Sequence, residues 1–292
     1  MKARYRFILV EKANFAVCRL CDVMKVSRSG FYDWCAREPS RRTTENELLL
    51  KEIRGIFENS YRRYGYRRVT RALRAQGTDV GRHRVARLMR GAGLVARRGR
   101  KFRVTTDSRH HHPVAKNVLN RQFEPVAHDQ AWAGDITYIW TTEGWLYLAV
   151  LLDLYSRRVI GWAMGERINQ ELTLSALNMA LGQRQPAPGF IHHTDRGSQY
   201  AATIYQQTLT QAGAISSMSR KGNCWDNAPS ESFFSTLKME EVYGRRFRTR
   251  DEARRVILRY LVWYNAHRLH SSLDYVSPLQ FESLPLTQEK AA

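Results

Sequence analysis

The sequence lacks a long apolar run and has few cysteines. None of its segments approaches the roughly 18 consecutive apolar residues that a membrane-spanning helix needs. Its first residues, MKARYRFILVEKANF, have neither the apolar region nor the cleavage site of a signal peptide. The four cysteines, Cys18, Cys21, Cys35 and Cys224, are typical of reduced thiols in a reducing compartment. We therefore expect a cytoplasmic protein without a membrane partner, and its 43% hydrophobic residues permit a packed core.

Acidic residues are scarce in the first part of the chain. Residues 1–120 carry 29 Lys and Arg against 10 Asp and Glu, whereas residues 121–292 carry 18 against 17. Between residues 61 and 103 there are 15 basic residues and one acid, Asp79. A solvated surface normally mixes the two signs of charge. A block of one sign, interleaved with apolar residues at helical spacing, instead predicts a surface that binds the phosphates of nucleic acid.

The basic part of the chain divides into two predicted helical units. Residues 1–40 contain a helix-turn-helix-like module, with Ser27 as the expected N-cap of its second helix. A purely structural or protein-contacting hairpin has the same pattern, so both interpretations stay open. Residues 41–103 form a second basic module with apolar stripes at helical spacing. The candidate DNA contacts of the two modules are Arg28, Arg62, Arg63, Arg67, Arg68, Arg82, Arg84, Arg87, Arg97, Arg98, Arg100, Lys101 and Arg103.

Two segments without regular spacing of apolar residues complete the predicted domain organisation. Residues 104–124 lose periodicity and predict a linker, and residues 285–292 predict a tail. The adjacent histidines at 110–112 are typical of a solvated loop rather than of a metal site. The Cys18 and Cys21 pair has no second Cys or His pair at zinc spacing, so we expect helix residues and no zinc.

Residues 125–284 have an α/β pattern. Three strands are followed by a helix, a strand, a helix, a strand and further helices, which is the order of a mixed five-stranded ribonuclease-H-like sheet. The predicted strands are Ala131–Thr141, Trp145–Leu154, Arg158–Met164, Phe190–His193 and Ala214–Met218, and the helices between them are Asn169–Leu181 and Tyr200–Ala212. The fold class is therefore α/β, a ribonuclease-H-like catalytic core preceded by all-α modules.

Three acids in this domain are candidates for catalysis. Asp135 lies in the first strand, Asp195 follows the fourth, and Glu231, separated from Asp195 by 35 residues, opens an amphipathic helix. Carboxylates that converge from such elements can hold two divalent metal ions for phosphoryl transfer. Lys238, seven residues after Glu231, shares its helix face and is a candidate contact for DNA phosphate. A single strand acid is usually structural, but three in these contexts favour catalysis.

Other polar residues near these acids have open roles. Asp153 and Asp226 are rival carboxylates, for which we favour structural or supporting positions. His192 and His193 precede Asp195, and packing at the strand end or DNA contact is favoured over general-base work. Trp225, on a loop predicted over 219–231, either stacks on an unpaired base or anchors the loop.

Several motifs give the chain a family resemblance over roughly residues 12–283. The D, D-35-E arrangement with Lys238 resembles the retroviral-integrase-like DDE transposases. More closely, the chain resembles the OrfB-type transposases of bacterial insertion sequences in the IS-three family. The matching strings are RYGYRRVT, WAGDITYI, HTDRGSQY, KGNCWDNAPSESFFSTLK, WYNAHRLHSSL and SPLQFE. One departure is Leu269, where relatives commonly have proline.

The resemblance implies a function and a set of partners. It implies a DDE polynucleotidyl transferase that binds the terminal inverted repeats of an insertion sequence and uses Mg²⁺ to cut and join DNA strands. Asp135, Asp195 and Glu231 would hold two ions, and Mn²⁺ would substitute. The implied partners are element ends and target DNA, a second copy of the chain at least, and an OrfA-type protein or fusion. The implied location is the bacterial nucleoid.

Two other classes of function remain open at the sequence level. One is a DNA-binding regulator with an inactive catalytic fold, against which the intact trio of acids argues. The other is a nuclease that cuts DNA without joining it. Metal-dependent cleavage distinguishes the first from a transposase, and strand transfer distinguishes the second.

Overall fold

The structure is a computed structural model, and it describes residues 1–97, 113–220 and 224–285. These residues form two helical units and one α/β domain. The helices of the first unit are α1 Lys2–Glu11, α2 Val17–Met24 and α3 Arg28–Ala36, and those of the second are α4 Arg41–Asn59, α5 Tyr66–Ala75 and α6 Arg82–Gly91. No helix in these described ranges is long and apolar enough to cross a membrane.

The first unit has a small core of its own. Its helices meet through four buried side chains, Ile8, Leu20, Cys21 and Phe31. The Ser27 hydroxyl accepts a hydrogen bond from the Gly30 amide at 3.2 Å, so the predicted N-cap of α3 is confirmed. A β-carbon at Gly30 would lie 2.7 Å from the Tyr5 hydroxyl, so α1 packs closely against the start of α3. Sequence analysis did not predict α1, whose charged and apolar residues do not separate onto two faces.

The α/β domain contains the predicted mixed sheet. Its strands are β1 Ala131–Thr141, β2 Gly144–Asp153, β3 Val159–Gly165, β4 Ile191–Thr194 and β5 Ile215–Met218, in the order β3-β2-β1-β4-β5. β1, β2 and β3 are antiparallel neighbours, and β4 runs parallel to both β1 and β5. The ribonuclease-H-like fold class is therefore confirmed, and β1 has the predicted bounds.

Helices cover both faces of the sheet. They are α7 Gln170–Arg184, α8 Ser198–Ala201, α9 Thr203–Gln211, α10 Ala228–Leu237, α11 Arg250–His267 and α12 Pro278–Ser283, with a π-helix at Lys238–Val242 and 3₁₀ turns at Cys224–Asn227 and Ser271–Leu273. The helix predicted over Tyr200–Ala212 is broken at Ala202, whose backbone is extended. One face packs on α7 and α9, and the other packs on α10 and α11.

The segment predicted as a linker is packed where the structure describes it. Leu119 is buried, and the amides of Val118 and Leu119 donate to the Ser217 hydroxyl at 2.9 and 3.1 Å. Ser217 lies on β5, so this segment adds to the edge of the sheet. Residues 98–112, including the three adjacent histidines, lie outside the described residues.

The second helical unit shares its core with the α/β domain. Apolar residues of α4, α5 and α6 belong to the same buried cluster as those of α10 and α11. At this junction, the Tyr64 hydroxyl donates to the His267 carbonyl and accepts from the Leu269 amide, both at 2.9 Å. A proline at 269 would lack that amide hydrogen.

Buried ion pairs cross the same junction from the π-helix. Glu241 pairs with Arg63, whose guanidinium also lies 4.2 Å from the centre of the Trp263 ring. Glu240 pairs with Arg68 at 3.3 Å and with Arg268 at 2.9 Å, and it accepts from the Tyr260 hydroxyl. These acids fix the helical unit to the segment that directly follows α10.

We expect Glu241→Gln to lower the free energy of unfolding by about 3 kcal/mol, because the substitution leaves the Arg63 charge buried without its partner. Urea unfolding measures the change. The control is Glu58→Gln, which breaks the exposed Arg62 pair and should cost less than about 1 kcal/mol. Equal effects of the two substitutions would contradict this role of the junction.

Candidate active site

The sheet brings Asp135 and Asp195 to one place. β4 pairs in parallel with β1 only over Ala131–Ala133, so the edge of β1 is left uncovered by β4 from Gly134 onward. Asp195 comes directly after β4, beside this uncovered edge. A β-carbon at Gly134 would lie 3.3 Å from the Thr194 side chain, so the two strands approach closely just before the acids.

Asp135 lies in an electrostatically unfavourable position. Burial raises the pKa of its carboxyl well above the usual range, and the charges of Asp195 and Glu231 raise it further. The Ile136 amide, which donates to it at 2.7 Å, and the Lys238 ammonium oppose this rise. The three predicted acids therefore act on one another electrostatically across three separate elements.

Glu231 reaches the site from the first turn of α10. Asn227 is the N-cap residue of α10, although its side chain makes no capping hydrogen bond, and Pro229 lies in the first turn. A carboxylate in the first turn is favoured by the partial positive charge of the helix N-terminus. Phe233 and Leu237 on the buried side of α10 fix this helix against the sheet.

Asp226 connects the turn before α10 to two other segments. It is fully buried and accepts two hydrogen bonds from the Arg220 guanidinium, both at 2.9 Å. Arg121 and Asn117 donate to it at 3.0 and 2.9 Å. The bonds from Arg220 and Arg121 hold the pKa of this carboxyl well below its usual range. We call these four residues the Asp226 clasp, which joins the two sides of residues 221–223, themselves outside the described part of the chain.

The carboxylate of the other rival acid, Asp153, is hydrogen-bonded to backbone amides of a turn. Its carboxylate accepts from the amides of Asp129 at 2.7 Å and of Tyr155 and Ser156 at 2.9 Å. Both carboxylates therefore lie in the structural or supporting positions favoured by sequence.

Lys238 lies at the junction of α10 and the π-helix and is largely buried. Its ammonium is 4.8 Å from the centre of the Tyr138 ring. Burial lowers its pKa, and Asp135 opposes that change. Lys238 therefore lies near Asp135, and its side chain is inside the protein rather than at the surface.

The two histidines before Asp195 are packed inside the domain. His192 bonds to the Tyr205 hydroxyl at 2.7 Å, and His193 bonds to the hydroxyls of Ser217 and Ser219. Burial lowers the pKa of His192 to about 3 and that of His193 to about 4, so both are neutral near pH 7. These contacts favour packing at the strand end over general-base work.

Sequence reasoning missed Tyr200, which lies on α8 after Asp195. Its hydroxyl is buried and has no hydrogen-bond partner among the described residues. Its pKa is raised by burial and by Tyr205, and then by Asp135 and Asp195. Tyr200 ends the string HTDRGSQY, five residues after Asp195, and this position is the feature of the sequence that could have identified it.

The predicted DNA contacts fall into three groups. Arg28, Arg62, Arg67, Arg82, Arg87 and Arg97 are exposed, and Arg84 is half-buried beside Asn46 and Glu45. The prediction is wrong for Arg63, which is buried and paired with Glu241. Arg68 is partly exposed and bonds to Glu240, and its DNA contact stays a prediction. Arg98, Arg100, Lys101 and Arg103 lie outside the described residues.

The chemistry of the three acids suits a hard divalent cation. All three offer carboxylate oxygens, and positive charge beside Asp135 would relieve the repulsion that raises its pKa. Within the described ranges, no three His, Cys, Asp or Glu side chains meet closely enough to hold one ion together. Mg²⁺ commonly takes one or two protein carboxylates and completes its shell with water and substrate phosphate, so one ion would not need all three acids.

Similarity to known families covers both parts of the chain. Residues 44–102 match a family model described as an HTH-like domain, and residues 125–224 and 213–278 match two models described as an integrase core domain. Among solved structures, a chain of the simian T-cell lymphotropic virus intasome matches with a TM-score of 0.47 and 16% identity, covering 74% of this chain and 71% of that one. The HTLV-2 integrase catalytic core domain in complex with magnesium matches with a TM-score of 0.39 and 16% identity, covering 53% and 97%.

Relatives of known sequence match more closely. The chain is 49% identical over 263 residues to the insertion element IS600 uncharacterized 31 kDa protein of Shigella sonnei, covering 90% of this chain and 97% of that protein. It is 42% identical over 283 residues to transposase InsF for insertion sequence IS3A of Escherichia coli, covering 96% and 98%. The resemblance inferred from the motifs is thus confirmed, and the chain belongs to the IS3 family of insertion-sequence transposases.

Proposed function

We propose that this chain is a DDE transposase that cuts DNA at the ends of an insertion sequence and joins the freed strands to target DNA. The proposal is supported most directly by the influence of the Asp195 and Glu231 charges on Asp135, which lies on the part of β1 that β4 leaves uncovered. The similarity to InsF over 96% of the chain supports the same function.

Asp135, Asp195 and Glu231 would hold divalent metal ions, with Mg²⁺ as the natural ion and Mn²⁺ as a substitute. Bound there, such ions supply activation of the attacking oxygen and neutralisation of charge on the leaving oxygen. The carboxylates repel one another in the free protein, which creates a site of negative potential in which cations accumulate.

The protein's own groups would align the DNA strand. Lys238 is held by burial and by the Tyr138 ring beside Asp135, where its charge can meet a phosphate that enters the site. The exposed arginines of α3, α5 and α6 would contact DNA phosphates further away and set the register of the duplex. Such alignment lowers the entropic part of the barrier to phosphoryl transfer.

Assembly on DNA requires more than one chain in this proposal. Two element ends must be brought together for joining, so the minimum is a dimer on DNA. An OrfA-type partner or fusion would add further DNA-binding helices. A chain that cleaves its end DNA but yields no joined product would instead be a nuclease.

We expect Asp135→Asn, Asp195→Asn and Glu231→Gln each to reduce cleavage of an end-containing oligonucleotide on the order of a thousandfold, because each removes a charged ligand worth several kcal/mol in the transition state. A gel assay in Mg²⁺ measures cleavage, and fluorescence anisotropy measures DNA binding, which should be retained. Asp251→Asn, an exposed acid on α11, is the control. Full activity of any of the three variants would refute the ligand role of that residue.

We expect Asp226→Asn to lower kcat roughly tenfold to a hundredfold with little change in DNA affinity. The Asp226 clasp positions the turn that leads into α10, and a small displacement of Glu231 misaligns the reacting groups. Amide hydrogen exchange over residues 224–231 should rise in parallel. Unchanged kcat together with faster exchange would contradict the positioning role.

A further inference from the structure

An aromatic and basic groove lies next to the three acids. We define the hairpin groove by Tyr138, Trp140, Trp145, Lys238, Arg245 and Arg246, which line a cavity of about 510 Å³. It lies where the β1–β2 hairpin meets the loop after the π-helix, and this loop is fixed by the Thr142 amide, which donates to the Phe247 carbonyl at 3.0 Å.

The aromatic side chains of the groove are unusually exposed. Trp140 is 59% exposed and Trp145 is 41% exposed, although both belong to strands of the central sheet. The ring centres of Trp140 and Trp145 are 4.8 Å apart at 73°, and those of Tyr138 and Trp145 are 5.0 Å apart at 84°. Single exposed apolar residues are common, but three adjoining rings form a contiguous patch that marks a binding surface.

The charge of the groove has one sign. Its lining contains Lys238, Arg245 and Arg246 and no acid. Glu241 pairs with Arg245 from the π-helix and restricts its guanidinium, which stays more than one third exposed. Aromatic faces beside cations of this kind match a nucleotide, because the base stacks on the rings and the phosphate meets the cations.

The groove is continuous with the catalytic strand. Tyr138 is three residues after Asp135, which is roughly 10 Å along a strand at about 3.3 Å per residue. Lys238 connects the two places, since its ammonium lies 4.8 Å from the Tyr138 ring and acts on the Asp135 carboxyl. Because three residues is an odd spacing, Asp135 and Tyr138 lie on opposite faces of β1, and Lys238 links them around the edge that β4 leaves uncovered. Nucleotides next to a phosphate at the acids would reach the rings around this edge.

We propose that the hairpin groove binds an unpaired nucleotide of the DNA strand that lies in the active site, by stacking its base on Trp140. Stacking requires a base released from its duplex partner, so the groove selects opened or single-stranded DNA beside the reacting phosphodiester. This inference rests on the proposed function and adds to it a subsite for unpaired DNA.

Binding of two DNAs tests the subsite without chemistry. One is an end duplex with a short fork of unpaired nucleotides, and the other is the same duplex fully paired, both measured by anisotropy in EDTA. We expect Trp140→Ala to weaken binding of the forked DNA about tenfold, which is ~1.4 kcal/mol, and to leave the paired duplex unchanged. Trp140→Phe, which keeps a ring, should stay near wild type on both DNAs.

A second readout reports stacking itself. With 2-aminopurine in the fork, wild type and Trp140→Phe should quench its fluorescence, whereas Trp140→Ala should not. Arg246 is exposed, and Arg246→Ala should weaken binding of the forked DNA. The DNA that does bind should still show quenched 2-aminopurine fluorescence.

Two outcomes would overturn the proposal. One is equal affinity of Trp140→Ala and wild type for forked DNA. The other is a change in the sedimentation of Trp140→Ala without DNA, which would assign the groove to a contact between copies of the chain. Since neither assay needs catalysis, failure of cleavage in the wild-type chain would count against the proposed function and not against this subsite.

Discussion

Like charges held near one another at a partly buried place are the constraint on which the candidate site depends. Asp135 lies on β1 with Asp195 and Glu231 acting on it: burial raises the pKa of its carboxyl, and these two charges raise it further. Carboxylates free to move would separate, so each is carried by an element fixed elsewhere. β1 and β4 are paired in the sheet, and α10 is packed by Phe233 and Leu237. The proposed metal role of the three acids rests on this concentration of negative charge.

The element that carries Glu231 also connects the two parts of the chain. α10 continues into the π-helix, whose Glu240 and Glu241 form the buried pairs with Arg63, Arg68 and Arg268. A buried acid without its partner is strongly destabilising, so the helical unit and the catalytic domain cannot separate there without penalty. The basic surface of α5 and α6 is thereby held at a fixed position relative to the acids.

Local pattern predicted much of this arrangement. The bounds of β1, the order of the five strands along the chain and the Ser27 cap were all available from sequence, because strands and caps depend on neighbouring residues. Contacts between distant residues were not available. Arg63 and Glu241 are 178 residues apart, so a guanidinium predicted to face DNA is instead buried. Arg121 and Asp226 are 105 residues apart, and the packing of the supposed linker depends on them. The partly exposed tryptophans of the hairpin groove followed the pattern of a buried strand and were recognised only in three dimensions.

The central claim is that the three acids bind metal together with the reacting DNA. Anomalous diffraction from crystals of the chain with its end DNA and Mn²⁺ tests it most directly. We expect anomalous peaks in contact with carboxylate oxygens of Asp135, Asp195 and Glu231 and with a phosphate of the DNA. Bound end DNA with no Mn²⁺ peak at these carboxylates, or with the metal held by other residues, would contradict it.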